Sequence, residues 1–201
     1  MSSAPVLDIL RQACPDAAID DAASSDMPTI FVDREHLLEV VETLRDHSSL
    51  QFAFFADVTA VDYLPAEPRY EVVYHFACLG EAYGTAPARR LRVRVRIPGA
   101  DPRVPSLVSL FPAAGWPERE VFDLFGLSFD RHPDLRRILT ADGWEGYPLR
   151  KDYPVQIRKE TAAWSPVQLS AEEFAANIRA DRERATEQAR PTRAGELRPK
   201  T

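Results

Sequence analysis

The chain has 201 residues, 45% of them hydrophobic, and a formal net charge of −6. That is enough for one domain with an ordinary core plus an arm or tail, and too little for a second full domain. The acidic balance disfavours a general nucleic-acid binder, whose phosphate contacts need a basic face, and disfavours free association with an anionic lipid surface.

Residues 4 to 14 fit a short helix with Val6, Leu7, Ile9 and Leu10 as its apolar side, followed by a small polar run from Asp20 to Asp26. Thr29 to Val32 reads as a strand. Asp33 then caps a helix in which Leu37, Leu38, Val40, Val41 and Leu44 recur at helical spacing. Gln51 to Tyr63 is aromatic and β-branched, Tyr70 to Cys78 alternates Tyr70, Val72, Tyr74, Phe76 and Cys78, and Leu91 to Ile97 alternates strictly, so three successive antiparallel strands are predicted. On the last of them Leu91, Val93, Val95 and Ile97 face inward while Arg90, Arg92, Arg94 and Arg96 face outward, about 7 Å apart. Two readings fit that row: a solvated face partly neutralised by Glu71 and its neighbours, or a docking strip for an acidic partner. A short helix is predicted at Ser106 to Phe111, closed by Pro112.

The most informative stretch runs from Gly115 to Pro154, with eight carboxylates, five arginines, one lysine and one histidine set among apolar residues. It opens as a helix of about nine residues. Pro117 suits the first position, Glu118 and Glu120 the first turn, and Gly126 a left-handed C-terminal cap. Val121, Phe122, Leu124 and Phe125 form its apolar side; Glu118, Arg119, Glu120 and Asp123 take the rest, with Arg119 and Asp123 four apart. After Gly126, turn formers alternate with large side chains, which suits an extended arm lying on another surface. Ser170 to Glu173 fits a capping box, and from Asp181 the chain lacks the apolar surface to order itself without a partner.

The fold class read from these elements is α+β: a mostly antiparallel sheet with helices packed on one face, plus a long irregular C-terminal arm. The segments are 1–28, an N-terminal helix and linker; 29–126, the α+β domain; 127–166, the charged arm; and 167–201, a C-terminal helix and flexible tail.

The ordered motifs W-x-E-R-E-x-x-D-x-F-G at Trp116 to Gly126, H-P-D-L-R-R at His132 to Arg137 and P-L-R-K-D-Y-P at Pro148 to Pro154 resemble the C subunit, of the 30 kDa type, of respiratory NADH:quinone oxidoreductase, complex I. Asp57 to Tyr63, DVTAVDY, is similar to a strand motif of the same family. Asp130-Arg131 departs from it, because the family usually has a glycine-containing turn before the histidine. The resemblance implies a non-catalytic, hydrophilic component of the peripheral arm, lying on the cytoplasmic side of the membrane and attached to it through the complex. Its partners would be chiefly the D and B subunits of the quinone module, with FMN, iron–sulfur clusters and quinone carried by other subunits. An equivalent component of a related hydrogenase-type or other dehydrogenase complex is the near alternative, and a stand-alone carboxylate enzyme the distant one.

The residues agree with an absence of redox groups. Cys14 and Cys78 lack CxxC spacing, which suits a reducing compartment and cannot supply a four-cysteine cluster. No GxGxxG, phosphate loop, GxSxG or HExxH is present. No run of eighteen apolar residues or secretory signal is apparent, so membrane association is expected only through partners. Glu120, Asp123, His132 and Asp134 suit a metal by type, but the neighbouring arginines account for the same carboxylates as ion pairs. His132 reads as a locally bonded turn residue rather than a proton relay, and Trp116, Trp144 and Trp164 as anchors rather than electron-transfer or quinone contacts. The predicted interface therefore uses Glu118, Arg119, Glu120, Asp123, Arg136, Arg137, Arg150, Lys151 and Asp152 as ion-paired fasteners, with His132 and Asp134 beside them. Trp116, Phe122, Phe125, Trp144 and Tyr153 are its buried anchors.

Overall fold

The structure, a computed structural model, describes residues 3–81, 87–141 and 143–154, and those of 170–180 other than 171, 174 and 177. They fall in two compact units, Met1–Val155 and Gln156–Thr201. The first contains helices α1 (Ala4–Ala13), α2 (Leu37–Asp46) and α3 (Gly115–Phe125). Its main sheet has strands β1 (Ile19–Asp21), β2 (Thr29–Val32), β3 (Phe54–Asp62), β4 (Tyr70–Cys78) and β5 (Arg89–Ile97), in the order β1-β2-β5-β4-β3. The pairs β3–β4, β4–β5 and β1–β2 are antiparallel, and β2–β5 is parallel. The α+β expectation holds, with one parallel pair in an otherwise antiparallel sheet. A parallel neighbour needs a crossover, and the intervening α2 and β3–β4 hairpin supply it.

Alternation drives the burial. Leu91, Val93, Val95 and Ile97 on β5 and Tyr70, Val72, Tyr74 and Phe76 on β4 are buried on the helix side. Each fully buried aliphatic side chain of this kind contributes about 1.5–3 kcal/mol. Val6, Leu7 and Leu10 of α1 and Leu37, Val40, Val41 and Leu44 of α2 complete the same core. Asp33 accepts a hydrogen bond from the His36 N–H at 3.2 Å, so it caps the turn that leads into α2.

Several elements differ from expectation. The first two residues of the polar run Asp20 to Asp26 belong to β1, because the backbone there pairs with β2 from Ile19↔Val32 to Asp21↔Ile30. Ser106–Phe111 is not a helix: residues 108–110 form a turn, and Pro112 opens a 3-10 turn, Pro112–Ala114, that runs into α3. Proline has no N–H to lose at a helix start, which favours opening over closing. A second small parallel sheet, β6 (Arg103–Pro105) with β7 (Ser128–Asp130), ties the segments on either side of α3 together. Arg131 takes a φ of +64° in the turn before His132, the left-handed conformation that glycine adopts without strain.

In the second unit Ser170 and Glu173 cap each other. The Glu173 N–H donates to Ser170 Oγ at 3.2 Å and the Ser170 N–H donates to Glu173 Oε2 at 2.9 Å. The expectations for Trp164, Phe174 and the tail from Asp181 fall outside the described residues.

Candidate subunit interface

Helix α3 carries the site and ends as its sequence predicts: Gly126 stands at φ +71°, and its N–H donates to the Phe122 carbonyl at 2.8 Å. The glycine is required twice over. A Cβ there would lie 2.5 Å from Arg150 Nη2 and from the Tyr147 ring.

The polar side of α3 is not a solvated face. Glu118 and Asp123 are both fully buried, contrary to the expectation that they lie opposite the apolar stripe. Glu118 accepts from Ser106 Oγ at 2.6 Å and from the Leu107 N–H at 2.7 Å, fixing the chain that leads into the helix. Burial pushes its carboxyl up to about 7 against these two bonds.

Asp123 sits in a nest formed by residues 137–140. Its Oδ2 accepts the N–H groups of Ile138, Leu139 and Thr140 at 2.9, 2.7 and 2.8 Å. Its Oδ1 accepts from Arg137 Nη1 at 2.9 Å and from the Thr140 hydroxyl. Burial raises its pKa, and these bonds outweigh that and hold it well below the usual carboxylate range. With both oxygens so engaged, Asp123 has little left to offer a metal. Among the described residues no group of three or more His, Cys, Asp and Glu is placed to hold an ion.

Arg119 does not pair with Asp123. It donates to the carbonyls of Arg136 and Arg137 at 3.0 and 3.2 Å, lies 3.7 Å from Asp134, and stacks on Trp116 at 4.9 Å. Glu120 is exposed, with no cation in ion-pairing reach among the described residues. The His132 ring accepts the Asp134 N–H at Nδ1 and donates from Nε2 to the Gly115 carbonyl at 3.0 Å, so it is the local turn residue expected. Asp134 accepts both arms of Arg136, at 2.6 and 2.8 Å, which lowers its pKa.

Residues 149–152 of the arm also return to their own domain. Leu149 N–H donates to the Leu124 carbonyl at 3.0 Å, and Arg150 donates to the carbonyls of Phe125 and Gly126 while stacking on Tyr147 at 4.3 Å. The Lys151 N–H reaches Asp62 Oδ2 at 2.8 Å, and Asp152 pairs with Arg69 at 2.9 Å. Phe122 meets Tyr147 edge-on, Phe125 is buried, and Tyr153 is half-buried. The described arm thus lies on its own helix rather than only on another surface. The arm leaves Leu139 (62% exposed), Leu149 (52%) and Trp144 (38%) exposed, and α3 leaves Trp116 exposed (65%).

Asp62, Arg69, Ser106, Thr140 and Tyr147 belong to this arrangement and were not singled out from the sequence. The signal was present for Asp62, which shares a strand face with the buried Val58 and Ala60. A carboxylate at an apolar strand position needs a partner, and Arg69 supplies two bonds at 3.0 and 2.8 Å, drawing Asp62 well below its usual range.

Residues 30–159 match the family described as respiratory-chain NADH dehydrogenase, 30 Kd subunit. That span contains every fastening residue from Asp62 to Asp152. The chain is 41% identical over 155 residues to the C subunit of NADH-quinone oxidoreductase from Roseiflexus sp. (strain RS-1), covering 77% of this chain and 86% of that one. It is 40% identical over 173 residues to the protein of the same name from Methylobacterium sp. (strain 4-46), covering 82% and 77%. Among solved structures it resembles the trypsin-resistant fragment (1-134) of Nqo5 at 33% identity and a TM-score of 0.50, covering 66% of this chain and 98% of that one. It shares its fold with a chain of the membrane-bound sulfane sulfur reductase, an archaeal respiratory membrane complex, at 22% identity and a TM-score of 0.64, covering 84% and 96%. The chain therefore belongs to the 30 kDa subunit family of respiratory-chain NADH dehydrogenase, the C subunits of NADH-quinone oxidoreductase.

Proposed function

We propose that this chain is a non-catalytic component of the peripheral arm of a proton-translocating NADH:quinone oxidoreductase, on the cytoplasmic side of the membrane. There it holds the D subunit, at the quinone site, and the cluster-bearing B subunit in fixed relation. FMN, the iron–sulfur clusters and quinone belong to other subunits on this reading. The observation that supports it best is the division of labour in the stretch from α3 to Asp152. Most of its polar groups are spent inside the chain, making a stiff arm, while Trp116, Leu139, Trp144 and Leu149 are left outside. Exposed tryptophans on a fixed support are usual anchors of protein interfaces, and the leucines beside them add apolar area. Electron transfer and quinone positioning depend on distances that loose packing would spoil, so a fastened arm suits the role.

Tagged purification from gently solubilised native membranes tests this. Co-elution with cluster-bearing and quinone-site subunits in fixed ratio is the expected result; a solitary soluble chain would overturn it.

A further inference from the structure

We propose that the open face of the main sheet docks an acidic segment of a neighbouring protein of the complex along the arginine row of β5; the inference rests on the assembly role above. All three helices contribute their buried side chains to the core on the other face of this sheet. β5 runs through the middle of the sheet, so Arg90, Arg92, Arg94 and Arg96 form a central ridge, about 20 Å from first to last.

The row is not uniform. Arg92 pairs with Asp26 at 2.7 Å and donates to His75 Nε2 at 3.1 Å, and Arg94 pairs with Glu71. The two ends differ: Arg90 and Arg96 are exposed, with no carboxylate in ion-pairing reach among the described residues. Arg96 is nevertheless held in place, stacked at 3.9 Å on Phe31, whose ring also carries Arg94 at 4.8 Å. A stacked guanidinium keeps its in-plane donors free for a carboxylate, and its lowered side-chain freedom reduces the entropy lost on binding.

The flanks choose the shape of the partner. Asp20 on β1 and Asp57 on β3 are exposed on the two edge strands. A plane of anionic charge, such as a lipid surface, would meet those carboxylates together with the arginines. A narrow acidic segment running along β5 passes between those two edge carboxylates, meeting Arg90 and Arg96 at its ends and the Arg92–Asp26 pair between them.

The test is charge reversal at the two ends, Arg90→Glu with Arg96→Glu, in the full-length tagged chain purified from native membranes. Arg90→Lys with Arg96→Lys keeps the charge and serves as control. The reversed chain should recover at least about tenfold less of the co-eluting subunits than wild type or control, with an unchanged thermal midpoint, because both side chains are exposed and outside the core. If that midpoint falls, Arg90→Gln with Arg96→Gln carries the same comparison. Wild-type recovery by the reversed chain would overturn the docking face while leaving the assembly role standing; a wild-type chain that elutes alone would remove both. Two further outcomes would also overturn it by giving the face another occupant. One is a dimer of the purified chain, seen by light scattering, that the reversal abolishes; the other is reversal-sensitive binding to phosphatidylglycerol vesicles.

Discussion

The backbone N–H of Lys151 donates at 2.8 Å to Asp62, 89 positions earlier in the chain. The same carboxylate takes two bonds from Arg69 and one from the Leu64 N–H at 3.0 Å, so one buried side chain fixes both the turn after β3 and the end of the arm. Removing it strands donors at both places. Asp62→Ala should lower unfolding free energy by about 2–3 kcal/mol, since Arg69 keeps Asp152 as a partner. Urea unfolding of the purified chain measures this, and a loss below about 0.5 kcal/mol would show that the arm does not depend on this latch.

Asp123 and Arg136 make a pair of opposed expectations. Asp123 is buried and accepts five hydrogen bonds from residues 137–140, so Asp123→Ala should cost about 3–5 kcal/mol and speed tryptic cleavage after Arg136 and Arg137. Arg136 has a side chain 73% exposed and pairs with the exposed Asp134, so Arg136→Ala should change the chain's own stability by less than about 0.5 kcal/mol. Blue-native electrophoresis then separates the roles. A drop in assembled complex with Arg136→Ala, at unchanged turnover per complex, reports a contact across subunits; unchanged assembly removes Arg136 from the interface.

Gly126→Ala should be severe. The left-handed backbone costs a β-carbon roughly 1–2 kcal/mol, and the new atom would overlap Arg150 Nη2 and the Tyr147 ring at 2.5 Å. The arm has to lift off the helix end to make room. A loss above about 2 kcal/mol, with faster amide exchange at Leu149 and Arg150, is the expected outcome; retained protection at those amides would mean that the arm is held elsewhere.

Most of the sheet was legible because it obeys simple rules. Tyr70 to Cys78 and Leu91 to Ile97 alternate cleanly, and α2 repeats at 3.6 residues, so local pattern and tertiary burial agree. β1 and β6 were missed because three-residue strands carry too little periodicity and exist only through the long-range pairs they make. The arm misled for another reason. Its charges were visible, but their partners, Asp62 and Arg69 from the β3–β4 hairpin and backbone groups of α3, are set by topology rather than by neighbours in sequence. Glu118 could have been placed better: it stands three and seven positions before Val121 and Phe125, on the stripe that is buried.

That burial makes Glu118 a group through which stability should respond to pH near neutrality, beside His36 and His75, whose shifts oppose each other. Its folded pKa of about 7 stands above the ordinary 4.5, chiefly because no water reaches it, and among the described residues no cation faces it. Between those values the folded chain holds a proton that the unfolded chain has released. Stability must therefore fall as pH rises from about 4.5 to about 7 and level off above, by an amount on the order of 3 kcal/mol. Asp62 and Asp123 act in the opposite sense, with folded pKa values below the ordinary 3.8, so their contribution is intact above the unfolded value and is lost only in stronger acid. Glu118→Gln retains the shape, with an oxygen to accept from Leu107 and an amide to donate to Ser106, but has nothing to titrate. Urea unfolding at pH 5, 6, 7 and 8 should give a steeper decline for wild type than for the variant, in which only the histidines still respond, His36 raised by Asp33 and His75 lowered by burial, and the variant should be the more stable at pH 8. Parallel slopes in the two proteins would assign the pH response to another group.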